Sequence, residues 1–568
     1  MIKKFKLYIM LVAVALSSVS CLDKMPEDGI PFDESLQTVS DINLAVIGIY
    51  DAFRSKYLYS GNLTLLPDIQ TDLVYGVNGN TNVYGDIWRW KEIKPTNTDI
   101  EAVYGALYDV INRCNFMLDR VDAVRKKTTD DKDLDKLDQC CGEAYFARAL
   151  AYSELVKLFC KAYESDEDAA GQLGVILSEH YLGDETMRRA SLKDSYQFIL
   201  DDLDRAAELL ELEEDFDTDT QGTLYDSIYF NEYTVHALRA RVLLYMKRWD
   251  EAIKYATKVI DSGYYYLSSC TRAATANASY YKYMWTNDFS TEAIWKVGFT
   301  INSYGGALGQ VFANYDYSSV RPDYVPAEWV INLYDLNDLR VSTYFQNFTT
   351  GYSHGLTWPL LIKYFGNESF VNYNILHVSM PKVLRLSEQY LIRAEAYVQQ
   401  EHPDYGKAGS DISVLRTARY ASYGGSTAMN KENAMDVIEQ ERVKELYMEG
   451  FRLHDLKRWH KGFERKPQDQ SLSNGSSLKV ENIDFTGAIF NNGQWMLKKL
   501  WHRAKSALLE ALDINSAVCI TQSDKDSYPD ADSLTRQLME IPASFHLIAH
   551  RNLDQLDTGS RPFVIPDK

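Results

Sequence analysis

A helical hairpin at residues 233–260 constrains the fold of this chain more than any other segment. Apolar side chains recur at helical spacing over 233–246, a short turn follows at 247–249, and Asp250 is placed to cap a second helix that ends at Ile260. Small side chains at the expected crossing let the two helices approach closely; these are Ala237, Ala240, Ala252 and Ala256. The segment therefore predicts two antiparallel helices packed face to face.

This hairpin, with an aromatic residue at its turn and a length of about 30 residues, resembles a tetratricopeptide unit. A second pair is predicted at 390–399 and 410–421, and apolar stripes at 144–159 and 194–210 indicate further helices. The pairs lie too far apart along the chain for an uninterrupted solenoid. We therefore expect a mostly α fold in which one layer of paired helices carries long insertions.

Three segments lack helical periodicity and are rich in tyrosine, asparagine, serine, glycine and tryptophan: residues 60–98, 262–380 and 461–500. They predict loops and a few short strands displayed from the helical scaffold, where binding residues are usually found. The chain holds 40 Tyr and 10 Trp, side chains whose apolar face and polar tip suit binding surfaces. Many such rings can instead fill the interior, so each one needs its own argument.

Residues 1–20 carry the features of a secretion signal. Lysines precede a ten-residue apolar run at 7–16, which is too short to span a bilayer, and small residues then lead to Cys21. A cysteine at that position resembles the lipid-modified cysteine of a bacterial lipoprotein, although Ser18 stands where leucine is usual. We expect cleavage before Cys21, a lipid anchor on its sulfur and a tether over residues 21–40. Plain secretion is the alternative.

Signatures of metal-dependent hydrolysis and of phosphate binding are missing from the sequence. It contains no His-Glu-x-x-His and no Gly-x-x-x-x-Gly-Lys motif. A formal charge of −20 disfavours nucleic acid as a partner, because an acidic surface repels phosphate. We expect a binding protein and not an enzyme.

A dense run of charges near residue 450 has the spacing of a helical ion-pair network. Acidic and arginine side chains stand three or four positions apart, where they cross-link helical turns. These residues are Glu441, Arg442, Glu445, Glu449, Arg452, Asp455 and Arg458, and a similar set is Arg385, Glu388, Arg393 and Glu395. We interpret both sets as structural and not as catalytic clusters.

The cysteines and acidic loops offer no firm metal site. Six cysteines follow Cys21, and their spacing matches no metal-ligand pattern, so we expect structural or free thiols. Acidic stretches at 215–222 and 524–532 supply oxygen ligands that suit Ca²⁺ but lack the spacing of an EF-hand. The prediction is no cofactor, with a structural Ca²⁺ as the alternative.

Six segments, in this order, resemble the SusD/RagB family, the surface-exposed lipoproteins of Bacteroidetes nutrient uptake. They lie at 45–53, 142–159, 202–210, 236–265, 383–397 and 441–459. The resemblance implies four tetratricopeptide-like units in a helical protein that sits as a lid on a SusC-like TonB-dependent outer-membrane barrel. It also implies a glycan ligand, or a peptide in the RagB branch, captured at the cell surface.

We expect a signal peptide at 1–20, a tether at 21–40, an N-terminal helical-repeat part at 41–270 and a C-terminal SusD/RagB-like part at 271–568. The last two are expected to pack as one unit and to carry the inserted binding loops. The predicted function is capture of oligosaccharide and its delivery to the barrel. Peptide or other nutrient binding in the same architecture is the alternative.

A sugar presents C–H bonds on one face and hydroxyls at its rim, so aromatic rings beside amides are the expected site. Three clusters have this composition. The first is Asp72, Tyr75, Asn78, Asn80, Asn82, Tyr84, Trp88 and Trp90; the second is Tyr280, Tyr281, Tyr283, Trp285, Asn287 and Asp288; the third is Asn302, Tyr304, Gln310, Asn314, Tyr315 and Tyr317. We favour the first and third.

The local conformation at Trp88 and Trp90 decides whether both rings can serve. In an extended segment they share one face, whereas in a helix they diverge by about 200° and one belongs to the core. The sequence leaves both possibilities open. The predicted ligand-binding residues are Asp72, Tyr75, Asn78, Tyr84, Trp88, Trp90, Tyr283, Trp285, Tyr304, Asn314 and Tyr315.

Overall fold

The computed structural model describes residues 35–91, 93, 97–181, 188–210, 227–315, 318–351, 357–466, 477–481 and 483. Residues Ile42–Met496 form one compact unit. The described residues form eighteen helices and eight short strands, so the mostly α prediction is confirmed. No helix within these ranges combines the length and the apolarity needed to cross a membrane.

Nine helices lie before residue 261. They are α1 (Val39–Ala52), α2 (Asn62–Ile69), α3 (Gly85–Trp88), α4 (Thr98–Arg125), α5 (Asp131–Phe159), α6 (Asp166–Gly171), α7 (Leu192–Leu209), α8 (Glu232–Tyr245) and α9 (Trp249–Ile260). Nine more follow: α10 (Tyr280–Thr286), α11 (Gln310–Ala313), α12 (Glu328–Ile331), α13 (Arg340–Tyr344), α14 (Glu368–Val371), α15 (Leu386–Gln399), α16 (Tyr405–Arg419), α17 (Ala434–Glu445) and α18 (Arg452–Arg458).

The long helices pack against one another in succession and form the helical layer. Helix α5 packs between α4 and α7, α8 packs on α7 and α9, and α9 packs on α15, which also contacts α16 and α17. The predicted hairpins are confirmed as α8/α9 and α15/α16. One detail differs: α9 begins at Trp249, so Asp250 lies in its first turn and does not cap it. Helix α8 is the capped one, because the side chains of Asn231 and Thr234 form a reciprocal capping box.

The insertions contain four two-stranded antiparallel sheets. Their strands are β1 (Val74–Gly76), β2 (Ala293–Lys296), β3 (Tyr324–Pro326), β4 (Phe345–Thr349), β5 (Thr357–Leu361), β6 (Lys382–Arg385), β7 (Phe463–Arg465) and β8 (Leu478–Val480). β1 pairs with β3, with Tyr75 opposite Val325. This pairing joins segments about 250 positions apart and brings the loop that follows β1 beside the loop that precedes β3.

The charged run near residue 450 is a buried ion-pair cluster, as predicted, but the predicted pairing within one helix is wrong, because α17 ends at Glu445, α18 begins at Arg452 and most partners come from distant segments. The carboxylate of Glu445 lies 2.8–3.0 Å from the guanidinium groups of Arg340, Arg385 and Arg419, and Glu292 bridges the last two. All five side chains are buried. A buried charge is stable only when it is paired, and here each carboxylate has at least two cationic partners.

The same pairing is visible in the pKa of Glu441. Burial alone would raise the pKa of this carboxyl, but Arg340, Lys444 and Arg416 lower it to about 2. Other pairs extend the cluster toward the helical layer, among them Glu388 with Arg241 and Glu395 with Arg458. The interpretation of both charged sets as structural is therefore confirmed.

Five cysteines lie within the described residues, and all five are free and buried. They are Cys114, Cys140, Cys141, Cys160 and Cys270. Burial raises the pKa of the Cys140 and Cys141 thiols, the latter to about 11. The expectation of structural or free thiols is confirmed for these five.

Candidate functional site

Two of the predicted clusters, more than 200 residues apart in the sequence, meet at one surface. The backbone N–H of Val77 donates to the carbonyl of Asp323 over 3.0 Å, and the N–H of Asp323 donates to the carbonyl of Val311 over 2.9 Å. Residues 77–84 therefore run beside residues 311–315 and 318–323 at the end of the β1–β3 pair. We call this the loop surface.

The side chain of Asp323 fastens the two loops together. Its Oδ1 accepts the backbone N–H of Thr81 at 2.7 Å and the hydroxyl of Thr81 at 2.9 Å. Burial raises the pKa of Asp323, and the two bonds from Thr81 oppose that rise. Residues 77–84 also contain backbone of positive φ at Gly79, Asn82 and Tyr84, which fixes a tight turn at the cost of local strain.

Two side-chain amides on the loop surface are available to hydrogen-bond a ligand, as far as the described residues show. The side chains of Asn78 and Asn314 are half-buried and make no hydrogen bond with any other described residue. Each presents one carbonyl acceptor and two N–H donors. In contrast, Asn80 and Asn82 use their side-chain oxygens inside the loop, the first for the N–H of Asn82 and the second for Arg89.

The rings of the loop surface are Tyr84 and Tyr315, both half-buried and both packed on the same hydrophobic cluster. The hydroxyl of Tyr84 donates to Asn62 over 2.8 Å, and burial raises its pKa. The Tyr315 ring stands edge-on to Phe365, with ring centres 6.2 Å apart. His377 Nε2 lies 3.1 Å from the backbone N of Tyr315, and burial lowers the pKa of this histidine.

A second aromatic surface lies around Tyr304, which is 42% exposed. Its ring packs edge-on against buried Phe370, and Tyr373, three residues further along the chain, is 58% exposed. Asn287 donates to Glu368 over 2.7 Å, which brings the segment that holds Phe289 and half-buried Tyr283 to the same helix α14. We call Tyr283, Phe289, Tyr304 and Tyr373 the Tyr304 shelf.

Four of the predicted ligand-binding residues are buried, and their prediction as exposed contacts is wrong. They are Asp72, Tyr75, Trp88 and Trp285. The carboxylate of Asp72 is taken by Arg452 at 2.9 Å, and Tyr75 lies in strand β1. Trp88 donates to the carbonyl of Val74, and Trp285 packs inside a buried hydrophobic cluster.

The segment at Trp88 and Trp90 is helical and not extended. Helix α3 ends at Trp88, and Trp90 follows with a φ of 54°, so the two rings diverge and Trp88 belongs to the core. Trp90 is half-buried, donates to the carbonyl of Gln70 over 2.6 Å and packs edge-on against Phe463. The helical alternative is therefore the correct one. The rings of Trp88 and Trp90 do not form a common surface.

Several site residues escaped sequence reasoning. Nothing in the local sequence predicts the contact between Asp323 and Thr81, because it depends on the pairing of the distant strands β1 and β3. Phe289 and Tyr373 could be found only as aromatic residues within an irregular segment. Tyr317, Cys21 and both acidic stretches proposed for Ca²⁺ lie outside the described residues. Within the described ranges, no group of three or more His, Cys, Asp or Glu is placed to hold a metal ion.

Gly351, Ser353 and Gly355 have the Gly-x-Ser-x-Gly spacing of serine hydrolases. In those enzymes the serine stands between a strand and a helix. Here the pattern lies between strands β4 and β5, which pair with each other as a hairpin. Ser353 and Gly355 lie outside the described residues, and the element that follows the pattern is strand β5 and not a helix.

Comparisons with known proteins agree with this fold. A sequence model described as "SusD family" matches residues 212–507, and one described as "Starch-binding associating with outer membrane" matches residues 23–224. The SusD-like protein P2 of Formosa agariphila is 25% identical over 162 residues, which are 28% of this chain and 30% of that protein. The chain thus matches less than a third of that relative's length.

Two solved structures have the same overall fold. A SusD superfamily protein from Bacteroides thetaiotaomicron aligns with a TM-score of 0.66 at 21% identity, over 80% of this chain and 97% of that one. The surface glycan-binding protein A from Bacteroides uniformis aligns with a TM-score of 0.57 at 18% identity, over 74% and 88% of the two chains. The SusD sequence model spans more than half of the 568 residues, and the chain belongs to the SusD family.

Proposed function

We propose that this protein captures oligosaccharide at the cell surface and delivers it to a SusC-like TonB-dependent outer-membrane barrel. One observation carries the capture step: the loop surface combines the rings of Tyr84 and Tyr315 with the amides of Asn78 and Asn314, which bond to no other residue that the structure describes. A sugar needs this combination, because its C–H face packs on a ring while its hydroxyls bond to amides at the rim. The Tyr304 shelf supplies further exposed rings from the same insertion.

The expected affinity is modest. A ring that buries about half of its ~200 Å² contributes roughly 2 kcal/mol as an upper figure. Two or three such contacts, after the cost of ordering, correspond to dissociation constants of about millimolar to micromolar. A protein that must release its cargo to a transporter is well served by binding of this strength, and no bond in the sugar needs to break.

Anchoring belongs to the same proposal. The family description places such proteins in association with the outer membrane. The signal at residues 1–20 and Cys21 supply a lipid anchor that leaves the folded part in water. The structural neighbour from Bacteroides uniformis is named a surface glycan-binding protein, which supports a carbohydrate cargo.

Binding of the purified protein to a panel of neutral polysaccharides, by affinity electrophoresis and calorimetry, tests the capture step. The double variant Asn78→Ala/Asn314→Ala and the variant Tyr315→Ala should each weaken binding at least about tenfold, which equals about 1.4 kcal/mol. Tyr229→Ala is the matched control, because Tyr229 is 48% exposed and packs on Tyr50 in the helical layer. Retention by no polysaccharide, together with binding of peptides, would reject the proposal.

The delivery step has a separate test. A tagged copy purified from outer membranes of its native host should bring down a TonB-dependent barrel in about equal amount. Glycan binding without any barrel partner would leave capture standing and overturn delivery.

A further inference from the structure

One ring nitrogen of His377 contacts the backbone on both sides of Asn314, one of the two amides of the loop surface. Its Nε2 lies 2.9 Å from the carbonyl oxygen of Ala313 and 3.1 Å from the backbone N of Tyr315. These two groups belong to the peptide units that precede and follow the Asn314 Cα. Their relative directions are therefore fixed by the φ and ψ of Asn314, which are −62° and 96°.

The histidine itself is held in place from two directions. Its own carbonyl accepts the N–H of Gly309 over 3.0 Å, and the carbonyl of Leu376 accepts the N–H of Gly366 over 2.8 Å. The half-buried ring packs against Phe365, with ring centres 5.4 Å apart. A change at Nε2 is therefore expected to act on the backbone around Asn314 and not to displace the ring.

The two contacts of Nε2 cannot both be hydrogen bonds at the same time. An imidazole nitrogen without a proton accepts, and one with a proton donates. Unprotonated Nε2 accepts the N–H of Tyr315, and no proton then lies between Nε2 and the carbonyl of Ala313. Protonated Nε2 donates to Ala313, and the N–H of Tyr315 loses this acceptor. The neutral ring has both forms available, whereas the imidazolium has only the second.

The titratable and charged groups on the neighbouring segments do not engage the ring. On 311–315, 318–323 and 363–368 these groups are Tyr315, Arg321, Asp323, Lys363, Tyr364 and Glu368. None of their side chains forms a hydrogen bond or ion pair with the imidazole. Asp288, which bonds to Ser379 on the segment of His377 itself, is paired with Lys382. Burial lowers the pKa of His377, and the bond to the Ala313 carbonyl opposes this effect.

Protonation of His377 therefore changes the loop surface from behind. The released N–H of Tyr315 can turn toward the Ala313 carbonyl, which has a second lone pair. That contact is an inverse γ-turn, in which ψ of the central residue is about 65°. The central residue here is Asn314, with its ψ of 96°. The change rotates the peptide group between Asn314 and Tyr315, and both residues are proposed ligand contacts.

We propose that His377 is a positioning residue of the loop surface: its neutral ring holds Asn314 and Tyr315 in the binding arrangement, and its protonation releases Tyr315 and weakens binding. The inference rests on the proposed function and adds regulation of the same site by pH. It assigns release of the cargo to acidic conditions, without any change in the cargo itself.

Crystal structures of the unliganded protein at pH 7.5 and pH 4.5 test this mechanism without any sugar. At pH 4.5 the contact between Nε2 and the Ala313 carbonyl should stay near 2.9 Å, while the Tyr315 N should move beyond hydrogen-bonding distance. A Tyr315 N–H that still bonds to Nε2 at pH 4.5 would overturn the proposal. Both structures use the unmodified chain and do not depend on the folding of a variant.

Titration calorimetry with the neutral polysaccharides that affinity electrophoresis retains tests the effect on binding. Affinity should be constant above about pH 6.5 and fall below it, because burial lowers the pKa of His377 from its usual 6.5. We expect binding about fivefold weaker at pH 4.5 than at pH 7.5, the ratio that the loss of one hydrogen bond gives. Neutral polysaccharides do not titrate in this range, so the change belongs to the protein.

The variant His377→Gln cannot ionise and should lose this difference. Burial raises the pKa of Asp323, but its titration is common to both proteins, so the comparison isolates His377. His402→Gln is the matched control, because His402 is exposed between α15 and α16 and should leave the pH dependence intact. A dependence that is missing in the unmodified protein, or that persists in full in His377→Gln, would contradict the proposal. If no polysaccharide is retained at pH 7.5, the proposed function fails, whereas the crystal structures still decide the role of His377.

Discussion

Thr81 donates two hydrogen bonds, from its backbone N–H and its hydroxyl, to the same carboxylate oxygen of Asp323, 242 positions away in the sequence. Together with the backbone bonds of Asp323 to Val77 and Val311, these bonds hold residues 77–84 against 311–315 and 318–323. The candidate site is thus formed by two loops that are distant in the sequence and are brought together by long-range contacts. We therefore expect binding at the loop surface to depend on Asp323, which holds the two loops together and is not one of the proposed ligand contacts.

We predict that Asp323→Ala weakens glycan binding about tenfold and lowers the free energy of unfolding by about 1–3 kcal/mol, because it leaves the Thr81 donors without their acceptor. Calorimetric titration and urea unfolding of the same sample measure both effects. Thr81→Val removes only the hydroxyl bond and should show a smaller loss of each kind. Full affinity in Asp323→Ala would show that the two loops do not form the binding site.

The buried cluster around Glu445 should be a major contributor to stability. Glu445→Gln removes the charge that three guanidinium groups share, and we expect the free energy of unfolding to fall by about 3–5 kcal/mol. Urea unfolding followed by circular dichroism provides the measurement. Glu251→Gln is the comparison, because its pair with Arg248 is 40–44% exposed and should contribute less than about 1 kcal/mol. Equal effects of the two changes would contradict a structural role specific to the cluster.

The pH dependence of stability should report on Asp68. Burial raises the pKa of this carboxyl to about 7, against the two backbone N–H bonds from Gly450 and Arg452 that lower it. A folded-state pKa above the unfolded value of 3.8 means that the folded protein binds the proton more tightly. Its contribution to stability is therefore full below about pH 4 and is lost as the pH rises through about 7.

Asp68→Asn cannot titrate, so the difference in unfolding free energy between the unmodified protein and this variant should fall between pH 4 and 7, by at most about 1.4 kcal/mol per unit. The hydrogen bond that the amide cannot make adds a constant offset, which leaves the slope unchanged. Urea unfolding at a series of pH values gives that slope. Parallel curves for the two proteins would rule out a raised pKa at Asp68.

Local periodicity was enough to predict α8, α9, α15 and α16, because each buries an apolar stripe that recurs at helical spacing. The spacing also predicted ion pairs at 441–458, but it assigned them to one helix. The structure divides this run between α17 and α18, and distant residues such as Arg340 and Arg385 supply most of the partners. The candidate site could be predicted only in composition. Asn78 and Asn314 were named, but the strand pairing that joins them depends on contacts between distant segments.

Exposure was the property that sequence could not supply. Tyr281, Trp285 and Tyr304 all stand in segments of the same texture, yet the first two are buried and the third is 42% exposed. The difference arises from what packs over them: Tyr344 and Arg419 cover Tyr281, whereas Tyr304 rests on Phe370 with its outer face open. Such covering residues come from other parts of the chain and leave no trace in the local sequence.

The contrast between buried and exposed rings gives the last prediction. Trp88→Ala should lower the free energy of unfolding by about 3–5 kcal/mol, since it empties a core position and uncovers the guanidinium of Arg465, which lies 4.5 Å from the ring centre. Tyr304→Ala should change unfolding by less than about 1 kcal/mol and weaken glycan binding instead. Urea unfolding and calorimetric titration of both variants separate the two roles. A Tyr304→Ala protein that is as destabilised as Trp88→Ala, with unchanged affinity, would show that Tyr304 is a packing residue and would remove it from the binding surface.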